Sequence, residues 1–486
     1  VDENFDKELE RGDLRAEDLV SAYRGRRIGR RQFLRGALAL GLTLPAAGAL
    51  LAACGGDDDD AAAPAAPPEE PAEAPAEAPA EAPAPAPAAA TELDLEGVKL
   101  TFGKAPHGEK ELELFEGWFA PFKEATGASI DHTVVPWDQL ETLYTTNFAS
   151  GDPYDVTYQV STHLTLFGER GVFEDMTPWI NGEDFADDLS HFNPASIDAS
   201  VYKGALFGVP FIIGTIVMFV NMDMLNQAGL DVPETQEQMI AAATQLKDGG
   251  IAEWGFSTPT TVKDFGWYFN LQNVHNLGGD IISDDFESAT INSPPVVQAT
   301  QYATDLIQNL ELQPPVGAFD REGAIELFKA GKLAFLLDEP LRVTPFNDEG
   351  LPFEWDIVMP VGANDGTRTT FSTTGHWVMA SESDNKEAAW ELIKFLSAGG
   401  FSQQFNLEYG FVPVRDDVDV SGGDPLLAKN LEFANCCWDG LKTHPKISQI
   451  LDEYVKALES ATSGNQSVED ALDQAQERAT EILAES

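Results

Sequence analysis

The chain has 486 residues, of which 43% are hydrophobic, enough for a large buried core and more than one domain-sized unit. Its formal net charge of −51 excludes strong binding to nucleic acid or to anionic membrane surfaces, because both repel an acidic protein. The seven histidines have no metal-binding spacing, and the chain lacks the usual phosphate-loop and nucleophile motifs, so we expect no metal, no cofactor and no enzyme activity.

Residues 1–53 are predicted to be an export signal. Arg30 and Arg31 precede a modest apolar run, residues 36–51, which is short for a membrane span. The whole segment resembles a twin-arginine-type lipoprotein signal ending in Leu-Ala-Ala before Cys54. That resemblance implies that Cys54 is lipidated, whereas the alternative is an uncleaved membrane helix.

Residues 54–93 combine a run of four aspartates with a Pro-Ala-Glu repeat. A segment of this composition cannot bury a core, so it predicts a disordered tether.

Residues 98–160 alternate strand and helix patterns. Apolar strand-like runs at 98–102, 129–136 and 155–159 are separated by segments of helical spacing at 109–126 and 140–150. This rhythm predicts an α/β fold with a parallel sheet, in which ligands bind beyond the carboxyl ends of the strands. Trp137, Gln159, Ser161 and His163 come at those predicted ends.

The run from residue 211 to 220 is the most apolar stretch of the remaining chain. It is rich in β-branched residues, which predicts a strand buried on both faces. Two interpretations stay open: an ordinary core strand, or a strand that joins two lobes.

Several short patterns around this run resemble one family. The pattern Tyr-x-Gly-x-x-x-Gly-Val-Pro at 202–210 is preceded by a match at 171–178. Further matches follow it at 276–280, 291–294, 328–334 and 387–396. In this order the patterns resemble extracellular solute-binding proteins of family 1, the sugar-type subunits that capture ligands for ABC importers. The resemblance implies a two-lobed periplasmic-binding-protein type II-like fold with three hinge crossings. It places lobe 1 at 94–212 and 356–411, and lobe 2 at 213–355 and 412–486.

A sugar site needs aromatic faces for the ring and short polar or acidic groups for the hydroxyls. By position along the chain, the candidates are Trp137, Gln159, Ser161, His163, Trp267, Asp338, Glu339, His376, Trp377 and Trp438. Core packing is the alternative for each tryptophan. We expect Trp377 in lobe 1 and Glu339 in lobe 2 to meet the ligand from opposite sides.

The type of sugar is narrowed by two departures from maltodextrin-binding relatives. Gly214 stands where they have a glutamate, and Leu341 where they have a tryptophan. The resemblance therefore implies a smaller or differently substituted sugar, or a glycerol-phosphate-like ester, rather than a maltodextrin. An anionic ligand would need nearby cations in a very acidic chain.

The sequence thus predicts a monomeric, lipid-anchored binding protein on the outer face of the cytoplasmic membrane. Its expected partners are a carbohydrate-type ligand and the permease subunits of an ABC importer. Two alternatives stay open: a binding protein for a polyamine or another cation, suggested by the acidity, and a tethered exported hydrolase.

Overall fold

A computed structural model describes residues 94–108, 110–442 and 444–485, without the side chains of residues 195 and 435–439. The predicted signal, the predicted tether and Cys54 lie outside these residues. Within the described ranges, every helix is too short or too polar to cross a membrane.

The strands, in chain order, are β1 (Lys99–Lys104), β2 (Ser129–Val134), β3 (Val156–Val160), β4 (Val201–Tyr202), β5 (Ala205–Leu206), β6 (Val209–Thr215), β7 (Val217–Asn221), β8 (Trp254–Ser257), β9 (Leu333–Asp338), β10 (Trp355–Val358), β11 (Thr370–Met379), β12 (Val412–Pro413) and β13 (Trp438–Gly440).

The α-helices are α1 (Glu111–Thr126), α2 (Leu140–Ser150), α3 (Ser161–Glu169), α4 (Thr177–Ile180), α5 (Ala186–Leu189), α6 (Pro194–Asp198), α7 (Met222–Ala228), α8 (Gln236–Asp248), α9 (Gly266–Asn276), α10 (Pro294–Thr304), α11 (Arg321–Lys329), α12 (Val343–Glu349), α13 (Lys386–Ser397), α14 (Gly399–Tyr409), α15 (Pro425–Cys437), α16 (Ile447–Thr462) and α17 (Val468–Ala484). Single 3₁₀ turns cover Trp137–Gln139 and Pro340–Arg342, and a π-helical turn covers Asp305–Asn309.

Lobe 1 is built on a mixed sheet with the strand order β12-β6-β11-β3-β1-β2, and β13 pairs beside β11. Strands β1, β2 and β3 are parallel, as their alternation with helices predicts. Strand β11 runs antiparallel to both of its neighbours, β3 and β6. Its amino-terminal half therefore lies at the same edge of the sheet as the carboxyl ends of β3 and β6.

Lobe 2 is built on a four-stranded sheet with the order β10-β7-β9-β8. The chain passes from the first sheet to this one at Ile216, returns within 359–369, and leaves the first sheet again after β12. The boundaries predicted at 212/213 and 355/356 fall inside β6 and β10.

The apolar run at 211–220 satisfies both interpretations that the sequence left open. It forms the end of β6 and most of β7, and every residue from 209 to 221 is buried. Ile216, at the junction, is also fully buried. One continuous apolar stretch is thus a core strand in each sheet and the link between them.

Helix α1 shows how the lobe 1 core is assembled. Phe115, Phe119 and Phe122 recur at helical spacing and are buried against the sheet. The helix ends at Gly127, whose φ of 76° gives the left-handed cap that favours glycine.

Candidate functional site

The two sheets face each other across the edge where several of their strands end. An added Cβ atom on Gly214 of β6 would lie 3.6 Å from Thr373 Oγ1 of β11 and 3.7 Å from Glu339 Oε1, which follows β9. Lobe 1 and lobe 2 therefore meet at this point, where the Glu339 carboxylate lies beside Gly214. Helices α3 and α16 also approach each other across the lobes.

The lobe 1 side of this contact carries an aromatic wall, defined as His107, Trp137, Tyr158, Tyr409 and Phe411. Trp137 is half-buried, whereas the other four rings are at most 8% exposed. The ring of His107 lies at its centre, with its centroid 5.0–5.8 Å from the centroids of the other four rings. Burial, together with the charge of Lys104, holds the pKa of His107 well below its ordinary value. The imidazole is therefore neutral at physiological pH.

A buried ion pair, Lys104 with Glu111, contacts the aromatic wall at His107. Lys104 is fully buried, and its Nζ lies 2.6 Å from Glu111 Oε1 and 2.7 Å from His107 Nδ1. The same ammonium lies over the rings of Phe115 and Tyr158. Burial lowers the pKa of Lys104 to about 8, although Glu111 opposes the shift. The pair fixes His107 and adds no net charge to the cleft.

The lobe 2 face carries a charged cluster, defined as Arg321, Asp338 and Glu339. Arg321 donates two hydrogen bonds to Asp338, of 3.1 and 2.5 Å, and one of 2.9 Å to Glu339 Oε2. Burial alone would raise the pKa of Asp338, but Arg321 and Arg342 together lower it by more than burial raises it. The net shift is downward, so this carboxyl stays ionised. The guanidinium is held in place and also lies over the ring of Phe269.

A small pocket opens beside this cluster. It encloses about 30 Å³, room for roughly one or two water molecules, and Thr258, Gln313, Asp320, Arg321 and Asp338 are among its lining residues. The buried hydroxyl of Thr258 has no hydrogen-bond partner among the described residues. A buried hydroxyl without a partner is costly, so the Thr258 hydroxyl can gain a hydrogen bond from a ligand or a water in this pocket.

Tyr268 of α9 brings a second such hydroxyl to the cleft. Its side chain is buried, lies close to Thr373 of lobe 1, and makes no hydrogen bond of normal geometry within the described part of the chain. Burial, with the nearby Glu339 carboxylate, raises the pKa of this phenol well above its ordinary value. Tyr268 therefore stays protonated and can donate a hydrogen bond to an acceptor at any physiological pH.

The structure corrects the expected role of Trp377. The side chain is fully buried in the lobe 1 core, with its ring 4.4 Å from Phe211 and 5.7 Å from Phe102 between centroids. Along a strand, successive side chains alternate between faces. Trp377 shares its face with Tyr158, which lies directly opposite on β3, but its own ring is fully enclosed and offers no surface to the cleft.

Three of the predicted site residues form a group apart from the aromatic wall. They are Gln159 on β3, His376 on β11 and His163 on α3. His163 Nδ1 lies 2.8 Å from Gln159 Oε1, and Gln159 pairs with His376 across β3 and β11. Gln159 and His376 are fully buried, and burial lowers the pKa of His376 to about 3 and that of His163 to about 4. Full burial means that Gln159 and His376 are packed in the sheet and do not line the cleft as the sequence predicts.

The other predicted residues lie at the strand ends or beside them. Ser161 donates a hydrogen bond of 3.1 Å to the Thr374 carbonyl and so ties α3 to β11. Trp137 is half-buried and donates one of 2.7 Å to Pro106. Trp267 is half-buried at the start of α9, whereas the side chain of Trp438 lies outside the described set.

Sequence reasoning missed Tyr158, Tyr268, Arg321 and Phe411. Tyr158 directly precedes Gln159, and strand alternation could have placed the two on opposite faces. No sequence pattern predicted Arg321 as a site residue. It lies on α11, 17 residues before Asp338, and contacts Asp338 only in the folded structure.

Among the described residues, only His191, Asp416 and Asp417 come close enough together to hold a metal ion. Arg415 already binds both oxygens of Asp417, at 2.9 and 2.8 Å. The group is part of an exposed ion-pair network. Asp416 approaches Nδ1 of His191, whereas Asp417 approaches Nε2 on the other side of the ring.

Comparisons with known proteins give the same family as the motifs. A binding protein of Brucella abortus (strain 2308) is 25% identical over 334 residues, which cover 68% of this chain and 78% of that protein. The sn-glycerol-3-phosphate-binding periplasmic protein of Rhizobium meliloti (strain 1021) is 24% identical, over 66% of this chain and 78% of that protein.

Maltose-bound MalE3 of T. maritima has a similar structure, with a TM-score of 0.72 and 21% identity, over 79% of this chain and all of that one. This likeness confirms the predicted two-lobed fold. The model of the bacterial extracellular solute-binding protein family matches residues 106–398. This chain therefore belongs to the bacterial extracellular solute-binding protein family.

Proposed function

We propose that this protein captures an uncharged sugar or polyol between its two lobes and delivers it to an ABC importer. One observation carries the proposal: the Glu339 carboxylate and the Tyr268 hydroxyl of lobe 2 approach the part of lobe 1 that carries the aromatic wall. Aromatic rings pack on the C–H face of a sugar, while carboxylates and hydroxyls bond its hydroxyl groups. The family is one of binding proteins, which favours capture over turnover.

Lobe closure is part of the proposal. The chain crosses between the sheets at a few short segments, including the single residue Ile216, and such crossings can act as hinges. Closing on a ligand would bury the half-buried ring of Trp137 further.

A thermal-shift screen of the full chain against sugars, polyols and polyamines tests the function, followed by titration calorimetry and product analysis. We expect a sugar or polyol to raise the melting temperature and to be recovered unchanged. Turnover of the ligand would overturn the proposal in favour of a hydrolase. A polyamine as the sole ligand would overturn the carbohydrate class.

We also propose that the protein acts as a monomer held at the outer face of the cytoplasmic membrane through lipid on Cys54. The support is the pattern before Cys54 and the extracellular character of the family. Cys54→Ala should move the protein from the membrane fraction to the soluble fraction without changing its melting temperature. Retention of this variant in the membrane would contradict the anchor.

A further inference from the structure

The cleft holds cations, but each is already committed to a carboxylate of this chain. Lys104 pairs with Glu111, and Arg321 pairs with both Asp338 and Glu339. Arg342 pairs with Glu322 at 2.6 Å and lies 3.6 Å from Asp338. In the lobe 2 cluster and its neighbour Arg342, three carboxylates therefore face two guanidinium groups.

Glu339 is the member of this cluster that reaches toward lobe 1. Arg321 binds its Oε2, whereas Oε1 lies next to Gly214, 3.7 Å from where a Cβ atom would be. The Glu339 side chain is 19% exposed, unlike the fully buried Asp338. A ligand at this point thus meets the Glu339 carboxylate together with the Arg321 guanidinium, which is 18% exposed.

Hydroxyl and phosphate groups respond to this arrangement in opposite ways. A hydroxyl donates a hydrogen bond to the carboxylate, which is a charge-assisted and therefore strong contact. A phosphate has no donor when ionised, and its negative charges would lie against Glu339 in a partly desolvated cleft. Arg321 uses its Nε and Nη2 donors on Asp338 and Glu339, so a phosphate at the Nη1 donors would still lie beside these two carboxylates.

We propose that Glu339, with Arg321 held by Asp338, is a charge filter that admits hydroxyl-bearing neutral solutes and rejects their phosphate esters. This inference rests on the proposed function, because it names the chemical class taken by that same cleft. It separates this chain from its relative whose name specifies sn-glycerol 3-phosphate. Specificity of this kind comes from a repulsive element as much as from an attractive one.

The test compares neutral probes with their own monoesters by titration calorimetry on the full chain. The pairs are ribitol with ribitol 5-phosphate, glucose with glucose 6-phosphate, and glycerol with sn-glycerol 3-phosphate. We expect at least one neutral probe to bind and its ester to bind at least ~100-fold more weakly, at low salt. Raising the salt to about 1 M should narrow that ratio, because salt screens the repulsion.

Two variants isolate the filter. Glu339→Gln should weaken the neutral probe by about tenfold and reduce the neutral-to-ester ratio by at least ~10-fold. Glu326→Gln makes the same charge change on an exposed part of α11, where Glu326 pairs with Lys329, and should leave the ratio unchanged. A merely structural role of Glu339 would weaken both probes equally and leave the ratio fixed.

The outcomes separate this inference from the function on which it rests. An ester that binds as tightly as its neutral parent, or a ratio that Glu339→Gln leaves unmoved, overturns the charge filter and leaves solute capture intact. Binding of neither member of any pair, in a screen where only polyamines bind, overturns both.

Discussion

The two faces of the cleft are built on opposite principles. The lobe 1 face is a set of packed rings whose nearest charges, Lys104 and Glu111, are buried and neutralise each other. The lobe 2 face keeps its charges at the surface of the cleft, with Arg321 and Glu339 still 18% and 19% exposed. The difference teaches that the closely packed rings of lobe 1 set the shape of the site, whereas lobe 2 supplies its hydrogen-bonding groups.

If this comparison is right, stability and affinity should separate between residues of the same type in lobe 1. Trp377→Ala should lower the free energy of unfolding by about 3–5 kcal/mol, because it empties a site packed on all sides. Trp137→Ala removes a half-buried ring of the wall and should cost less stability while weakening sugar binding by at least tenfold. Denaturant unfolding beside calorimetry measures both quantities.

The matched tryptophans make the outcome easy to read. A Trp377→Ala variant that keeps its melting temperature and loses the ligand would move the binding surface into what is now assigned as core. A Trp137→Ala variant with unchanged affinity would remove the aromatic wall from the site.

The buried ion pair is the next strongest test, because it lies behind the wall. Lys104→Met should cost about 3 kcal/mol of stability, since it leaves Glu111 buried without its cation. Glu111 keeps contacts with the His107 backbone N–H and the Tyr409 hydroxyl, which holds the loss at the lower end of the range. The double variant Lys104→Met with Glu111→Leu should recover most of that loss.

The control is Lys99→Met, which breaks the exposed pair with Asp131 and should leave the denaturation midpoint unchanged. An equal loss in the single and double Lys104 variants would mean that packing, not charge, dominates at this position.

The same pair predicts how stability depends on pH. Burial lowers the pKa of Lys104 to about 8 from an ordinary value of 10.5. Between these values the unfolded chain binds a proton that the folded protein has released, so the free energy of unfolding rises with pH. Relative to the double variant, the wild type should gain up to about 1.4 kcal/mol per pH unit from pH 8 to 9.5. A flat difference would place the pKa of Lys104 at its ordinary value.

The sequence was informative wherever local periodicity decides the structure. The alternation of strands and helices predicted the parallel strands β1 to β3. The apolar run predicted one buried strand where the structure has two, β6 and β7. The positions of Asp338 and Glu339 at a strand end also followed from the chain order. In each case the signal lies within about ten neighbouring residues.

The candidate site was harder, because it depends on which face of a strand a residue occupies and on partners far along the chain. Trp377 and His376 are adjacent, yet they fall on opposite faces of β11, and both are buried. Arg321 becomes a site residue only because two lobe 2 elements meet. Register and packing of this kind are set by tertiary structure, which a single sequence does not display.

The smallest effect we predict is also the one that best tests the lobe 2 face. The buried Tyr268 hydroxyl is without a normal hydrogen bond among the described residues, so the empty protein gains nothing from it. Tyr268→Phe should therefore leave the free energy of unfolding unchanged or raise it by about 1 kcal/mol. If a bound sugar supplies the missing partner, the same variant should lose about tenfold in affinity, measured by calorimetry. Tyr302→Phe is the control, because its buried hydroxyl also has no partner in the described part of the chain. Tyr302 lies on α10 and lines a different pocket, with Gln301 and Ser467. If both variants bind the sugar with the same affinity, the ligand leaves the Tyr268 hydroxyl unpaired. The lobe 2 contacts would then come from Glu339 and from the pocket that Thr258 lines.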